Sequence, residues 1–150
     1  MTVELREVTR ATVLAVCKLD AGDGGKQVAP NAVSMAQAHF TPEAWFRAVY
    51  DGEDLVGFVM LYDPTLAEAP EEHEFFLWRL MIDKRFQARG LGRSVVARLA
   101  EHVRTRPAAE RLLVSHVKDA DRVARFYQSL GFEYTGREED GELELALKLR

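Results

Sequence analysis

The chain has 150 residues, 47% hydrophobic and 29% charged, a balance that excludes a disordered or fibrous protein and predicts one globular domain over 1–150 with a full core. A formal net charge of −4 argues against nucleic acid as the main partner. The lone Cys17 excludes an internal disulfide and a cysteine-based metal cluster, and no stretch approaches the about 18 apolar residues of a membrane span, so a soluble cytoplasmic protein without metal is expected.

Alternation at Val3, Leu5 and Glu7 predicts a first strand over 2–7. Thr9 or Thr12 then caps a short helix through Leu14, Cys17 and Leu19. After the glycine-rich break at 20–25, a second helix is expected over 30–40 with Val33, Ala36 and Phe40 on one face. Thr41-Pro42-Glu43 reads as a cap and first turn or as a tight turn. Strands over 46–50 and 55–62 are joined by Asp51-Gly52-Glu53-Asp54 as a hairpin, and an acidic loop fills 64–72.

The apolar run over 75–83 predicts a strand, and Gln87-Ala88-Arg89-Gly90-Leu91-Gly92 separates it from an amphipathic helix reaching about residue 104, ended by Pro107. A buried strand over 112–117, a helix over 120–130 stopped by Gly131, and strands over 132–135 and 143–149 complete the chain. This order predicts an α/β domain with a mixed sheet and helices on both faces.

Glycines at the start of a helix let bare backbone N–H groups converge on an anion, and the helix N-terminus adds orphan donors and its positive dipole end. Arg89 and Arg93 add formal charge, so residues 87–93 read as a pyrophosphate cradle. No GxxxxGK[ST] string is present, and the third glycine of GxGxxG is missing because Arg93-Ser94-Val95 follows Gly92.

The remaining pattern, Gln-x-x-Gly-x-Gly between strand and helix, resembles the signature of the GNAT N-acetyltransferase superfamily. Phe126-Tyr127-Gln128-Ser129-Leu130-Gly131-Phe132 resembles its later helix-to-strand motif. Leu77-Trp78-Arg79-Leu80-Met81-Ile82-Asp83, Val56-Gly57-Phe58-Val59-Met60, the early Val28-Ala29-Pro30-Asn31 segment and the tail from Gly131 to Glu142 resemble the branch of bacterial diamine and spermine/spermidine acetyltransferases. The resemblance implies a GNAT-like single domain with a mostly antiparallel sheet of about six to seven strands, splayed in the middle.

It also implies acetyl-coenzyme A as co-substrate, a small cationic amine such as a polyamine as acceptor, and room for a homodimer through the C-terminal strands or the helices. Pantetheine would pair with the backbone at Leu80, Met81 and Ile82. Loop residues Gln87, Ala88, Arg89, Gly90, Leu91, Gly92 and Arg93 would hold or shape the pyrophosphate site.

Tyr127 occupies the family position of the acid that protonates the leaving thiolate. His116 is either the base or a strand-end histidine bonded to backbone. Glu74 either acts through water or is a solvated loop carboxylate, and Glu142 either faces the amine or caps a turn. His39, His73 and His102 read as surface or packing residues. Ala120 stands where the family motif carries Asn, and Asp119 or Asp121 is expected to cap the helix instead. The acceptor site is expected to draw on the N-terminal helices, the 63–74 loop and the last hairpin, whose carboxylates include Asp20, Glu43, Glu68, Glu71, Glu72, Glu138, Glu139, Asp140 and Glu144. The alternatives are an antibiotic, amino acid or protein N-terminus as acceptor, or a non-catalytic acyl-coenzyme A-binding module.

Overall fold

β-Branched and aromatic residues in alternating runs build most of the molecule. A computed structural model describes residues 3–24, 29–70 and 74–150. In chain order the elements are β1 (Val3–Arg6), α1 (Val13–Cys17), α2 (Asn31–His39), β2 (Ala44–Asp51), β3 (Asp54–Tyr62), β4 (Phe75–Ile82), α3 (Leu91–Arg104), β5 (Arg111–Val117), α4 (Asp121–Ser129), β6 (Glu133–Glu139) and β7 (Glu142–Lys148). Glu71, Glu72, His73 and Val28, each assigned a place from the sequence, lie outside the described residues. No described helix is long and apolar enough to cross a membrane.

The strands form one sheet in the order β1-β2-β3-β4-β5-β7-β6. Every pairing is antiparallel except β4 with β5, which run parallel and meet only at Phe75–Leu112 and Phe76–Leu113. β5 pairs along its whole length with β7 instead. The sheet is therefore split beyond Phe76. Trp78 is an extra residue in β4, since Met60 pairs with Arg79 and Leu61 with Leu77; such a bulge bends the strand where the split begins.

Alternation sends Val49, Val59 and Leu61 to one face and Ala48, Phe58 and Met60 to the other. The first face packs on Leu91, Val95, Leu99 and Val103 of α3, an i, i+4 stripe, and on Tyr127 and Phe132. Val95 and Leu99 are fully buried, each contributing about 1.5–3 kcal/mol. The second face packs on Val16, Met35 and Ala38.

Three expectations are corrected. The face Val33–Ala36–Phe40 of α2 points outward, with Phe40 83% exposed, while Asn31 and Ser34 are buried. The Asn31 amide donates to the Val16 carbonyl at 2.9 Å, and this bond to the end of α1 outweighs a weak apolar stripe. Thr12 occupies the N-cap of α1 but makes no capping bond; its hydroxyl instead accepts from the Thr9 N–H at 2.9 Å. β6 does not stop at 135. Gly136, at φ +88°, absorbs a register shift and the strand continues to Glu139, closing on β7 through Asp140-Gly141, both at positive φ as a two-residue hairpin turn requires.

Candidate active site

Where β4 leaves β5 a cleft of about 1330 Å³ opens, walled by β4, β5, α4 and the β6–β7 hairpin. The Asp83 N–H donates to the Val56 carbonyl at 2.8 Å, which makes 83/56, and by alternation 81/58, hydrogen-bonded pairs. The backbone groups of Leu80 and Ile82 therefore point away from β3, toward the split. An interior strand edge with no protein partner is a template for an extended, amide-bearing ligand.

The turn after β4 is built by Asp83, a buried carboxylate. It accepts from the Arg85 N–H at 3.0 Å, the Arg85 Nε at 2.8 Å and the Asp20 N–H at 3.0 Å. Gln87 Nε2 donates to the carbonyls of Ala21 at 2.8 Å and Ile82 at 2.9 Å, stapling the loop to the N-terminal segment. Of the groups at Leu80 and Ile82, the Ile82 carbonyl is thus already engaged.

Ala88 at φ +64° and Gly90 at φ +79° turn the chain into α3. Ser94 is the first residue there whose N–H is taken up, by the Gly90 carbonyl at 3.2 Å. Among the described residues, the N–H groups of Leu91, Gly92 and Arg93 have no backbone acceptor. Arg89 lies over the Phe86 ring at 5.5 Å, and Arg93 donates to Ser129 Oγ at 3.2 Å. Gly92 also governs how two helices meet. A Cβ there would stand 3.2 Å from Phe126 Cζ, so its absence lets α4 close on the start of α3.

That closure carries Tyr127 into the cleft wall. Tyr127 is 7% exposed, its ring edge-on to Phe126 and Phe132 at 5.0 and 5.2 Å. Its hydroxyl has no hydrogen-bond partner among the described residues, and burial pushes the phenol pKa up. Ala120 is the N-cap of α4 and no side chain caps it, so neither Asp119 nor Asp121 replaces the motif Asn in that way; Asp121 sits in the first turn, where it complements the dipole.

His116 is turned out of the cleft. It is buried and does not line the cleft, and both ring nitrogens are engaged, Nδ1 with the Val117 carbonyl at 2.7 Å and Nε2 with the Tyr134 hydroxyl at 2.9 Å. Glu74 is locked by Arg111 at 2.6 Å and Arg137 at 2.9 Å. The Arg137 hydrogen bonds hold its carboxyl below the usual range against an opposing effect of burial. Glu142 lines the cleft, its carboxylate accepting from Ser115 Oγ at 3.0 Å. Glu138, Glu139, Asp140 and Glu144 line the same cleft from the hairpin; Asp20, Glu43 and Glu68 do not. Asp20 is instead paired with Lys84 at 3.2 Å.

Three charged cleft residues escaped the sequence reading as site residues, Arg79, Arg122 and Arg137. Arg137 bridges Glu74 and Glu144, and Arg79 stands in the wall beside the β4 bulge. A charge within an apolar strand was the available signal for Arg79. Nothing in the sequence pointed to Arg137, whose position depends on the Gly136 bulge. No group of three or more His, Cys, Asp or Glu side chains suited to a metal occurs among the described residues.

The profile of the acetyltransferase (GNAT) family matches residues 17–132. The spermine/spermidine N(1)-acetyltransferase of Bacillus subtilis is 33% identical over 88 residues, spanning 58% of this chain and 57% of that protein, so the chain aligns with little more than half of this relative. An acetyltransferase from Thermus thermophilus shares the fold with a TM-score of 0.70 at 18% identity, over 99% of this chain and 97% of the other. A Bacillus subtilis acetyltransferase solved in complex with coenzyme A does so with a TM-score of 0.66 at 15% identity, over 99% of each chain. With a profile match over most of its length and a fold shared with solved acetyltransferases, the chain belongs to the acetyltransferase (GNAT) family.

Proposed function

We propose that the chain is an acetyl-coenzyme A-dependent N-acetyltransferase that acetylates a primary amine, and that the acceptor is a small cationic amine, for which the curated relative suggests the polyamine class. The observation that carries this reading is the meeting, at one cleft, of an unpaired strand edge with the open N–H groups of a helix start. The edge at Leu80, Met81 and Ile82 suits the amides of pantetheine, laid down as a further strand. The N–H groups around Ala88, Gly90, Leu91 and Gly92, with Arg89 and Arg93 beside them, suit a pyrophosphate.

Transfer requires that a C–N bond form as the C–S bond breaks, that the amine lose a proton and that the thiolate gain one. Tyr127 is the acid. Its raised pKa keeps the phenol protonated near neutrality, and a thiolate formed against the same buried ring is made more basic by the same desolvation. Glu142 faces the acceptor side and holds the amine there as its proton passes to water in the open cleft. His116, with both nitrogens bonded, takes no part in this scheme.

Purified protein incubated with acetyl-coenzyme A and a panel of amines (putrescine, spermidine, spermine, diamino acids, an aminoglycoside and an N-terminal peptide) is expected to release free thiol with a small cationic amine. Coenzyme A binding without thiol release from any amine would overturn transfer and leave a binding module.

A further inference from the structure

β4 carries one charge in its apolar run. Arg79 lies in the cleft wall on the side of α2, its guanidinium over the Trp78 ring at 5.5 Å. Nη1 donates to the Trp78 carbonyl at 3.1 Å and Nη2 to Gln37 Oε1 on α2 at 3.2 Å. A guanidinium has five N–H donors, and here Nε is buried with no partner among the described residues. Nor does any described carboxylate come within ion-pair distance of Arg79.

The other charges of this wall differ. Arg137 is closed by Glu74 at 2.9 Å and Glu144 at 2.8 Å, and Glu144 also accepts from Thr135 Oγ1 at 2.9 Å. That cluster is internally satisfied and recruits nothing. Glu142, held by Ser115, touches Arg79 only through space, where its charge opposes the lowering of the Arg79 pKa by burial. The acceptor wall is therefore not a uniformly acidic groove; beyond its neutralised cluster and the exposed Arg122, Glu138, Glu139 and Asp140 it presents one half-buried guanidinium, Arg79, and the carboxylate of Glu142, not bonded to each other. An uncompensated, partly desolvated guanidinium is completed by a carboxylate, which its planar fork binds in a bidentate manner. A second ammonium placed against Arg79 would instead meet like charge.

We infer that the acceptor is an amine that also carries a carboxylate, a diamino acid, with Arg79 pairing the carboxylate and Glu142 the ammonium. This rests on the acetyl-transfer reading and narrows its acceptor within the small cationic amines.

The test uses the full chain with ornithine and lysine, each against its carboxamide and against the diamine of the same length, following thiol release. The diamino acid is expected to exceed both analogues in kcat/KM by at least about tenfold, the scale on which a site built for a polar group rejects ligands lacking it. Arg79→Met is expected to bring that ratio to about one, and Arg79→Lys, which keeps charge but loses the fork, to an intermediate value. Gln37→Ala, which cuts the bond to α2 and keeps the guanidinium, is expected to leave the ratio high and so separates ligand pairing from a packing role. Coenzyme A binding checks the fold of each variant; if Arg79→Met does not fold, Arg79→Lys decides. A wild-type ratio at or below one, or a ratio that survives loss of the guanidinium fork, overturns the inference while transfer itself stands. No thiol from any of these amines or from spermidine overturns both.

Discussion

A phenol packed between Phe126 and Phe132, with its hydroxyl bonded to no described residue, stabilises the fold through its ring and not through its oxygen. Tyr127→Phe keeps the ring and the packing and removes the proton. Its expected effects therefore separate: kcat falls by about 10²–10⁴, the range for a lost general acid, while coenzyme A binding is retained. Thermal unfolding should move by less than about 1 kcal/mol, because no buried partner is orphaned. Steady-state kinetics beside calorimetric titration with coenzyme A checks both, and an unchanged kcat would remove Tyr127 from the chemistry. At this scale, side-chain type was legible and surroundings were not. The glycine loop was legible in the residues as a candidate anion cradle, whereas only the family resemblance singled out Tyr127. That His116 spends both nitrogens on Val117 and Tyr134 depends on how β7 brings β6 to the side of β5.

Between elements, the two glycines of the loop do different work. Gly90 supplies a positive φ with open space around it, whereas Gly92 lies in α3 and is small because Phe126 of α4 stands over it. Gly92→Ala sets a gain of about 1 kcal/mol in helix propensity against crowding of Phe126 and is expected to weaken coenzyme A binding as α4 gives way; Gly90→Ala is expected to cost about 1–2 kcal/mol from backbone strain alone. Unfolding and coenzyme A titrations of the two variants check the contrast. A second contact between elements sets a pH dependence. His102 of α3 stacks on Trp45 of β2 at 4.2 Å, its Nε2 buried without a partner among the described residues, and burial lowers its pKa against the pull of Asp63, with Arg106 and Arg47 adding to the decrease. The folded chain thus binds this proton less readily than the unfolded one. His102 contributes fully above the ordinary imidazole pKa of about 6.5, and that contribution is lost as pH falls below it toward the folded value. Melting curves from pH 7.5 down to 5.5 should drop for the wild type, and the drop should be shallower in His102→Phe, which keeps the stack without titrating. The sequence reading placed these elements within a few residues because glycine, proline and apolar period mark their ends. It misjudged the buried face of α2, where one buried amide, Asn31, decides the orientation.

Over the whole molecule, the sheet is continuous from β1 to β4 and from β5 to β6 but nearly severed between, held there by two residue pairs and by the α3 crossover. Apolar runs in β4 and β5 do not announce that they diverge; only the family resemblance implied a splay, because the bulge at Trp78 and the departure of β4 are properties of pairing and not of either strand's composition. An extended ligand lying in that gap would act as the missing strand, and the backbone offers a residue-by-residue test. The Asp83 N–H is bonded to Val56 and the Met81 N–H faces β3, so both are expected to exchange slowly with or without ligand. The N–H groups of Leu80 and Ile82 face the split and are expected to exchange quickly in the free protein. At a coenzyme A concentration about one hundred times its Kd, exchange at whichever of the two the ligand engages should slow by up to about a hundredfold, since the open state must then wait for dissociation. Amide-resolved hydrogen exchange reads this directly. Alternating protection along 80–83 that becomes uniform on binding would place the ligand as a strand; protection confined to 88–93 would mean that it is held at the helix start alone.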